Sequence, residues 1–262
     1  MNRIQMLDQV VTPSENSSPA AQVTRLRSNS RRALEYSFFV PLHYEANYAY
    51  PLLVWLHGPD DDQRQLKRVM PHVSMRNYVG VAPAFRSTPV GAEPSLEASP
   101  WPQTSTEISQ ALESVLEVVE QAKQRFHVAS QRIFLAGYDS GGTMAIRLGL
   151  SAPNEFAGVA SLAGPFPSGH QPLANLPQVR KLPILIAHGR ESEAYPVGQL
   201  CDDLRLFHVA GMSLSLRQYG CGHELTTQML SDLDAWMMQI VTGNTMSSES
   251  SVDSTTWSDE WN

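Results

Sequence analysis

Short apolar runs alternate with amphipathic stretches from about residue 34 to residue 240, and this alternation predicts the fold. Seven runs rich in branched and aromatic residues predict strands, at 34–40, 50–56, 78–82, 132–136, 158–162, 182–187 and 213–218. Apolar residues at helical spacing predict helices, at 104–122, 141–151, 196–210 and 225–240. Because strands and helices alternate, we expect an α/β fold, with a doubly wound, mostly parallel sheet and helices on both faces.

The two ends of the chain lack this pattern. Residues 1–32 are rich in Ser, Asn, Gln and Arg, and residues 243–262 are acidic, rich in Ser and Thr, and free of Lys and Arg. Segments of such composition bury too little apolar surface to become ordered, so we expect two disordered tails around one domain at 33–242. Trp257 and Trp261 in the second tail leave open a protein partner that binds there.

Composition excludes several classes of function. A net charge of −7 and a pI near 5.6 give no basic surface for a nucleic-acid partner. Two cysteines fit neither a disulfide framework nor a zinc site, and we expect neither a metal nor a cofactor. No apolar run is long enough to span a membrane, and the N-terminus lacks the apolar core of a signal peptide, so we expect a cytoplasmic protein.

One short segment points to chemistry. Residues 137–142, Gly-Tyr-Asp-Ser-Gly-Gly, connect a predicted strand to a predicted helix, an arrangement typical of a nucleophile elbow. In such a turn the residues two before and two after the apex crowd each other, which favours glycine at both positions. Gly137 and Gly141 flank Asp139 in this way, so the apex is predicted at Asp139 and not at Ser140.

Further motifs follow the predicted strands in a fixed order. They are His-Gly at 57–58, Phe-Ala-Gly-Val at 156–159, His-Gly at 188–189, Tyr-Pro at 195–196 and Gly-His-Glu at 222–224. Together with the elbow, this set resembles the carboxylesterase/phospholipase family, which includes acyl-protein thioesterases, and is similar to polyester depolymerase-like esterases. The resemblance covers about residues 34–240. It implies an α/β-hydrolase fold without a large cap domain, a carboxylic ester hydrolase activity, and a small-molecule ester or acyl ligand.

The resemblance also assigns roles to residues. It places Asp139 at the nucleophile position, His223 at the position of the base and Ser192 at the position of the acid. Glu191 and Glu193 are candidate substitutes for the missing acid, since they flank Ser192.

Two further residues, Pro59 and Ser140, fall at the positions whose backbone N–H groups form the oxyanion hole in the family. Trp101, at the end of the proline-rich loop 84–103, is a candidate pocket residue, because loops of this length commonly line or cover a site. Ser140 and Cys221 are weaker candidates for a nucleophile: the elbow register disfavours the first, and the second lies on the loop of the base.

Three departures from the family predict an impaired or inactive serine esterase. A carboxylate is a poor nucleophile for acyl transfer, and a neutral Ser192 cannot stabilise an imidazolium, a loss that costs roughly 10⁴ in turnover. Pro59 has no N–H, and losing one oxyanion donor costs on the order of 10² to 10³. Two alternatives remain: an active hydrolase in which Asp139 is the nucleophile and His223 the base, or a protein that binds a ligand or partner without catalysis.

Overall fold

The computed structural model of the protein describes residues 23–25, 35–84 and 101–243. These residues form one eight-stranded sheet with the strand order β1-β2-β4-β3-β5-β6-β7-β8. The strands are β1 Val23–Arg25, β2 Glu35–Phe39, β3 Tyr50–Leu56, β4 Val79–Pro83, β5 Val128–Tyr138, β6 Gly158–Leu162, β7 Ile184–Gly189 and β8 Leu214–Tyr219. β2 pairs antiparallel with both β1 and β4, and all other neighbours pair in parallel.

Six α-helices in the described residues cover the two faces of the sheet. They are α1 Gln65–Val73, α2 Ser105–Arg125, α3 Ser140–Ser151, α4 Leu176–Val179, α5 Val197–Ala210 and α6 Thr227–Thr242, with a 3-10 turn at Pro153–Glu155. Thr104 caps α2 by accepting the Glu107 N–H on its hydroxyl, as the Thr-x-x-Glu sequence predicts.

Side chains of β3 alternate between two apolar layers, as the period of a strand requires. Leu52 and Val54 pack in the layer that contains residues of α2 and α3, whereas Leu53 and Trp55 pack in the layer that contains residues of α1 and α6. All four side chains are fully buried. This arrangement confirms the doubly wound α/β fold, because a strand covered on both faces must be apolar throughout.

The structure adds elements that the sequence analysis did not predict, β1 and α1 among them. All seven predicted strands are present, and an additional three-residue strand, β1, lies within the segment 1–32 and pairs with β2. Helix α1 was not predicted, because Pro71 interrupts its apolar pattern. Between β6 and β7 the only helix is the four-residue α4, so this connection carries no cap domain.

Some predictions fall outside the described residues, namely those on most of the segment 1–32, on 85–100 and on the segment 244–262 with its two tryptophans. Within the described ranges, no helix combines the length and the apolar character needed to cross a bilayer.

The parallel strands β3, β5, β7 and β8 all end at the same edge of the sheet. The loops that follow them carry Pro59, Asp139, Ser192 and His223 in that order. In open α/β sheets this carboxyl edge is where ligands bind, so the topology alone brings the predicted site residues to one place.

Candidate active site

Asp139 lies at the apex of the turn between β5 and α3. Its backbone has φ 51° and ψ −120°, in a region that residues other than glycine rarely adopt. Such a conformation costs about 1–3 kcal/mol, and the surrounding packing must hold it in place. The Asp139 N–H donates to the carbonyl oxygen of Leu162 at 2.8 Å, and the Asp139 carbonyl accepts the Thr143 N–H at 2.9 Å. The turn therefore has the strained geometry of an elbow with a carboxylate at its apex.

Two glycines make this turn possible. A Cβ atom on Gly137 would overlap the backbone of Gly141, and one on Gly141 would overlap the carbonyl groups of Leu56 and His57. Because backbone atoms cannot move aside as a flexible side chain can, neither position accepts a larger residue. The crowding that the sequence predicts on both sides of Asp139 is present.

His223, on the loop after β8, joins the two other predicted residues. Its Nε2 lies 2.7 Å from Oδ2 of Asp139, and its Nδ1 lies 2.8 Å from Oγ of Ser192. The imidazole thus bonds the elbow at one nitrogen and the loop after β7 at the other. The side chains of Asp139 and His223 are 27% and 21% exposed, so a ligand could reach both.

Ser192 is fixed from a second side. The residue is only 5% exposed, and its Oγ accepts the backbone N–H of Tyr195 at 3.0 Å. His188, which is fully buried, has its Nε2 2.8 Å from the Tyr195 carbonyl oxygen. Because Nε2 can only donate to a carbonyl oxygen, it carries the proton of His188. His188 therefore has a structural role in holding the turn that presents Ser192.

The hydrogen bonds fix the position of the His223 proton. The carboxylate of Asp139 can only accept, so Nε2 of His223 carries a proton. Ser192 Oγ accepts the Tyr195 N–H and has a hydroxyl proton to donate, for which an unprotonated Nδ1 is an acceptor. An imidazole protonated at Nε2 is thus compatible with every hydrogen bond around it. A serine hydrolase needs the opposite tautomer, with Nδ1–H facing the acid and Nε2 free to take the proton of the serine.

Glu191 and Glu193 do not replace the missing acid. Both side chains are exposed, and Ser192 occupies the Nδ1 position of His223. Successive residues in this turn point in different directions, so the neighbours of a buried Ser192 face solvent. In this arrangement of the loop the group that bonds Nδ1 of His223 is Ser192, and an acid role for either glutamate stays a prediction.

Only one of the two oxyanion positions has a backbone N–H donor. Pro59 is exposed and has no N–H to donate. Ser140 is the first residue of α3, where backbone N–H groups have no partner within the helix, so its N–H is available for a ligand. The Ser140 hydroxyl is buried and makes no hydrogen bond within the described residues. One backbone donor therefore remains where acyl transfer uses two.

Trp101, the candidate pocket residue, is buried. It is 1% exposed, and its indole Nε1 donates to the carbonyl oxygen of His57 at 2.8 Å. Its ring also lies 5.2 Å from the His57 ring, centroid to centroid. Trp101 therefore packs against the loop after β3 and supports it through His57.

Two residues that the sequence analysis did not single out also hold the site. Tyr138 donates its hydroxyl to the His223 carbonyl oxygen at 3.0 Å and so ties the elbow to the His223 loop. Arg147, a fully buried residue of α3, donates to Gln103 Oε1 at 3.0 Å and to the carbonyl oxygens of Ser168 and Gly169. Burial lowers the pKa of the Arg147 guanidinium. A cation within an otherwise apolar helix was the sequence signal for this role.

A mostly parallel sheet of this order, with an elbow after β5 and a histidine after β8, defines an α/β-hydrolase. The family model described as phospholipase/carboxylesterase matches residues 94–240, more than half of the chain. The protein belongs to this family.

Individual relatives agree with this family. NocK of Nocardia uniformis, named as a candidate esterase, is 30% identical over 140 residues, which are 53% of this chain and 39% of NocK. This chain thus spans about two fifths of the length of that relative. A probable carboxylesterase of Oryza sativa is 23% identical over 212 residues, covering 71% of this chain and 76% of the relative.

Solved structures show the same fold. Arabidopsis thaliana SOBER1 has a TM-score of 0.60 at 21% identity, covering 74% of this chain and all of that one. A Bacillus cereus carboxylesterase has a TM-score of 0.61 at 16% identity, covering 79% and 94% of the two chains. At these identities the comparison concerns the fold alone.

Proposed function

We propose that this chain has lost serine-type ester hydrolysis and keeps the elbow as the floor of a binding site for a small ester or acyl ligand. One observation carries the proposal: the carboxylate of Asp139 bonds Nε2 of His223 at 2.7 Å. In a serine esterase that nitrogen takes the proton of the nucleophilic hydroxyl. Here Nε2 of His223 holds a proton, and the Asp139 carboxylate that it faces has no proton to transfer.

The electronic demand of acyl transfer also supports the proposal. Attack of a carboxylate on an ester would form an anhydride, which is a less favourable intermediate than an acyl-serine. The negative charge of Asp139 would also lie beside the oxyanion that forms, and Pro59 contributes no donor to offset it. Each of these effects opposes the transition state of ester hydrolysis.

Ser192 does not rescue the mechanism by exchanging roles with Asp139. The order Ser192–His223–Asp139 contains the three groups of a triad in reverse, with the hydroxyl hydrogen-bonded to the imidazole. However, Ser192 is 5% exposed and its Oγ is held by the Tyr195 N–H, so a substrate carbonyl cannot approach it. The mirrored arrangement orients His223 and provides no nucleophile.

Binding can persist without hydrolysis. The elbow backbone is intact, the N–H of Ser140 remains available, and Asp139 and His223 are partly exposed at the carboxyl edge of the sheet. These groups offer a donor and an acceptor to a small ligand of the kind that the relatives' names imply.

The proposal can be tested with short p-nitrophenyl esters on three full-length proteins: the wild type, His223→Ala and the double variant Asp139→Ser with Ser192→Asp. We expect the wild type and His223→Ala to show the same background rate. The double variant restores a hydroxyl facing Nε2 and a carboxylate facing Nδ1, and it should gain esterase activity. Because Pro59 remains, its rate should stay about 10² to 10³ below that of a complete site.

A wild-type rate that disappears in His223→Ala would overturn the proposal. A melting curve of the double variant separates a failure to fold from a failure to react. The position of the His223 proton gives an independent readout: one-bond ¹H–¹⁵N correlations should place it on Nε2 in the wild type and on Nδ1 in the double variant. A wild-type proton on Nδ1 would contradict the hydrogen-bond assignment.

Ligand binding has its own test. Adding p-nitrophenyl butyrate to the wild type should shift the imidazole proton signals of His223 in a saturable way, with no release of p-nitrophenol. If the His223 signals do not move up to the solubility limit of the probe, the proposed ligand binding is wrong. The proposed loss of hydrolysis is not affected by that result.

A second candidate function is attack by Asp139 on an sp³ carbon. Its position at the apex of the elbow, with His223 adjacent, favours this reading. The carboxylate would displace a leaving group and form an alkyl ester, and a water deprotonated at His223 would then cleave that ester at the Asp139 carbonyl. The tautomer described above ranks this candidate second, because Nε2 must lose its proton before it can act as the base.

The two candidates differ in a covalent product. Incubation with a panel of haloalkanes and epoxides, followed by peptide mass spectrometry, would detect an alkyl ester on Asp139. His223→Ala should accumulate this adduct, since it removes the base of the second step. A panel without any adduct in either protein would exclude the Asp139 nucleophile for these substrate classes.

A further inference from the structure

A concave surface lies at the opposite edge of the sheet from the elbow, where β6 and β7 begin. We call it the amino-end groove; its volume is about 430 Å³, and it is formed by the 3-10 turn, α4 and the segments leading into the two strands. Its walls and rim include Pro153, Phe156, Ala157, Pro177, Gln178 and Lys181. The groove is far from the residues of the candidate active site, and nothing in the proposed function uses it.

The last helix ends beside this groove. Ile240, in the final turn of α6, approaches Gly158 so closely that a Cβ built there would lie 3.3 Å from Cδ1 of Ile240. Ala157, which lines the groove, packs against the same apolar cluster as Ile240. The chain leaves α6 at Gly243, so residues 244–262 begin next to the groove.

Basic and apolar side chains continue the surface beyond the groove. Arg180 and Lys181 are both exposed. The Arg180 Nε donates at 2.9 Å to the carbonyl oxygen of Ala210, at the end of α5. Val209, the preceding residue, is 81% exposed. The surface therefore runs from the groove across two cations to an exposed aliphatic side chain.

The C-terminal sequence has the complementary pattern. Residues 244–262 contain four carboxylates and neither Lys nor Arg. Trp257 and Trp261 stand on either side of the acidic pair Asp259 and Glu260. The fourteen residues from Gly243 to Trp257 can span up to about 46 Å, which is ample for a surface that begins beside Gly243.

We infer that residues 257–261 dock on this surface of the same chain, with one indole in the amino-end groove and the acidic pair against Arg180 and Lys181. An indole buries a large apolar area while its N–H still finds a polar partner at a rim such as that of Gln178. The two cations attract the carboxylates in a manner that salt weakens. The segment is local to the groove, which raises its effective concentration there above that of any partner in solution.

The test is photo-cross-linking in the full-length protein. A p-benzoylphenylalanine at Gln178, which is exposed on the rim of the groove, should form an adduct with a peptide containing residues 257–261. The same photoreactive residue at Gln110, exposed on α2, is the control and should give no such adduct. Trp257→Ala with Trp261→Ala should reduce the yield at Gln178 at least tenfold, and Lys181→Glu should reduce it severalfold.

Mixing ¹⁵N-labelled and unlabelled chains distinguishes adducts within one chain from adducts between two. Adducts that combine both labels would overturn the inference, since they would assign the groove to a second copy. Equal yields at Gln178 with and without the two tryptophans would also overturn it. Yield at Gln178 that falls as sodium chloride rises from 0.05 to 0.5 M supports the contribution of the acidic pair.

Discussion

The elbow and the two loops that face it differ in what they retain. The elbow at 137–142 keeps its glycines, its strained apex and its hydrogen bonds to β6 and α3. The loop after β3 carries Pro59, which has no N–H, and the loop after β7 carries Ser192, which has a neutral side chain. The turn therefore keeps its backbone geometry, and under the proposed function the changes that oppose ester hydrolysis include these two loops around it.

The physical reason is that the two kinds of feature depend on different forces. The glycines of the elbow are enclosed by backbone atoms, so any replacement disturbs the junction of β5 with α3. Pro59 is exposed, and the side chains of Asp139 and His223 are partly so, which means that their identity affects stability little. Under the proposed function, substitutions at such exposed positions change the chemistry of the site while the fold is kept.

The largest expected effect breaks the elbow itself. Gly137→Ala places a Cβ into the backbone of Gly141 and should lower the free energy of unfolding by about 3 kcal/mol or more. For a domain of this size the melting temperature should fall by roughly 6 to 12 °C. Differential scanning calorimetry on Gly137→Ala and on Gly198→Ala makes the measurement.

Gly198 is the matched control, because it lies in α5 and a Cβ there would meet no atom within 4 Å. Gly198→Ala should leave the stability unchanged or raise it by up to about 1 kcal/mol, since alanine restricts the unfolded chain. Equal melting temperatures for the two variants would show that the turn can relax and that its glycines are not required.

The fold could be predicted from the sequence because the spacing of apolar residues along a strand or helix is a local property. β3 is apolar at every position and α2 carries a capped apolar stripe, so both are readable without a partner. β1 and α1 were missed: the first is a three-residue strand that depends on pairing with β2, and the second contains Pro71.

The site was predictable in part for a different reason. Asp139, His223 and Ser192 were identified by motif order, and they are joined by hydrogen bonds across 84 and 31 residues of sequence. A sequence motif does not determine where a side chain points, however, so the exposure of Glu191 and the burial of Trp101 could not be inferred. The direction of a side chain is set by tertiary packing, which a local sequence pattern does not encode.

The second prediction concerns the loop after β7. Ser192→Ala removes the acceptor of the buried Tyr195 N–H and the donor to Nδ1 of His223. Leaving buried polar groups without partners should cost about 1–3 kcal/mol. Chemical denaturation measures the change, with Glu193→Ala as the control, which is exposed and should stay within about 0.5 kcal/mol. A stability of Ser192→Ala equal to that of the control would mean that the loop carries no structural constraint.

The third prediction tests the link between the two regions. Tyr138→Phe removes the hydroxyl that donates to the His223 carbonyl oxygen, at an expected cost of about 0.5–1.5 kcal/mol. Amide hydrogen exchange should also become faster on the loop 220–226, because that loop loses its bond to the elbow. Tyr48→Phe serves as the comparison, since Tyr48 is 41% exposed. Unchanged exchange in Tyr138→Phe would show that the elbow and the His223 loop are held together by other contacts.

The smallest expected effect concerns the charge around the His223 loop. Burial, and then the carboxylates of Glu224 and Glu191, raise the pKa of the Cys221 thiol above its ordinary value. Only the thiolate reacts with iodoacetamide, so a raised pKa means slower alkylation at a given pH. Cys221 should therefore react more slowly than the exposed Cys201 at pH 7, and its rate should still rise above pH 9.

Peptide mass spectrometry after timed labelling between pH 7 and pH 10 follows both thiols in one sample. Glu224→Gln should speed alkylation of Cys221 by less than tenfold, because burial, which it leaves in place, is the larger cause. Cys201 should not respond to this change and so reports any general effect on the fold. Alkylation of Cys221 that is faster than that of Cys201 at pH 7 would contradict the acidic, half-buried surroundings of the loop.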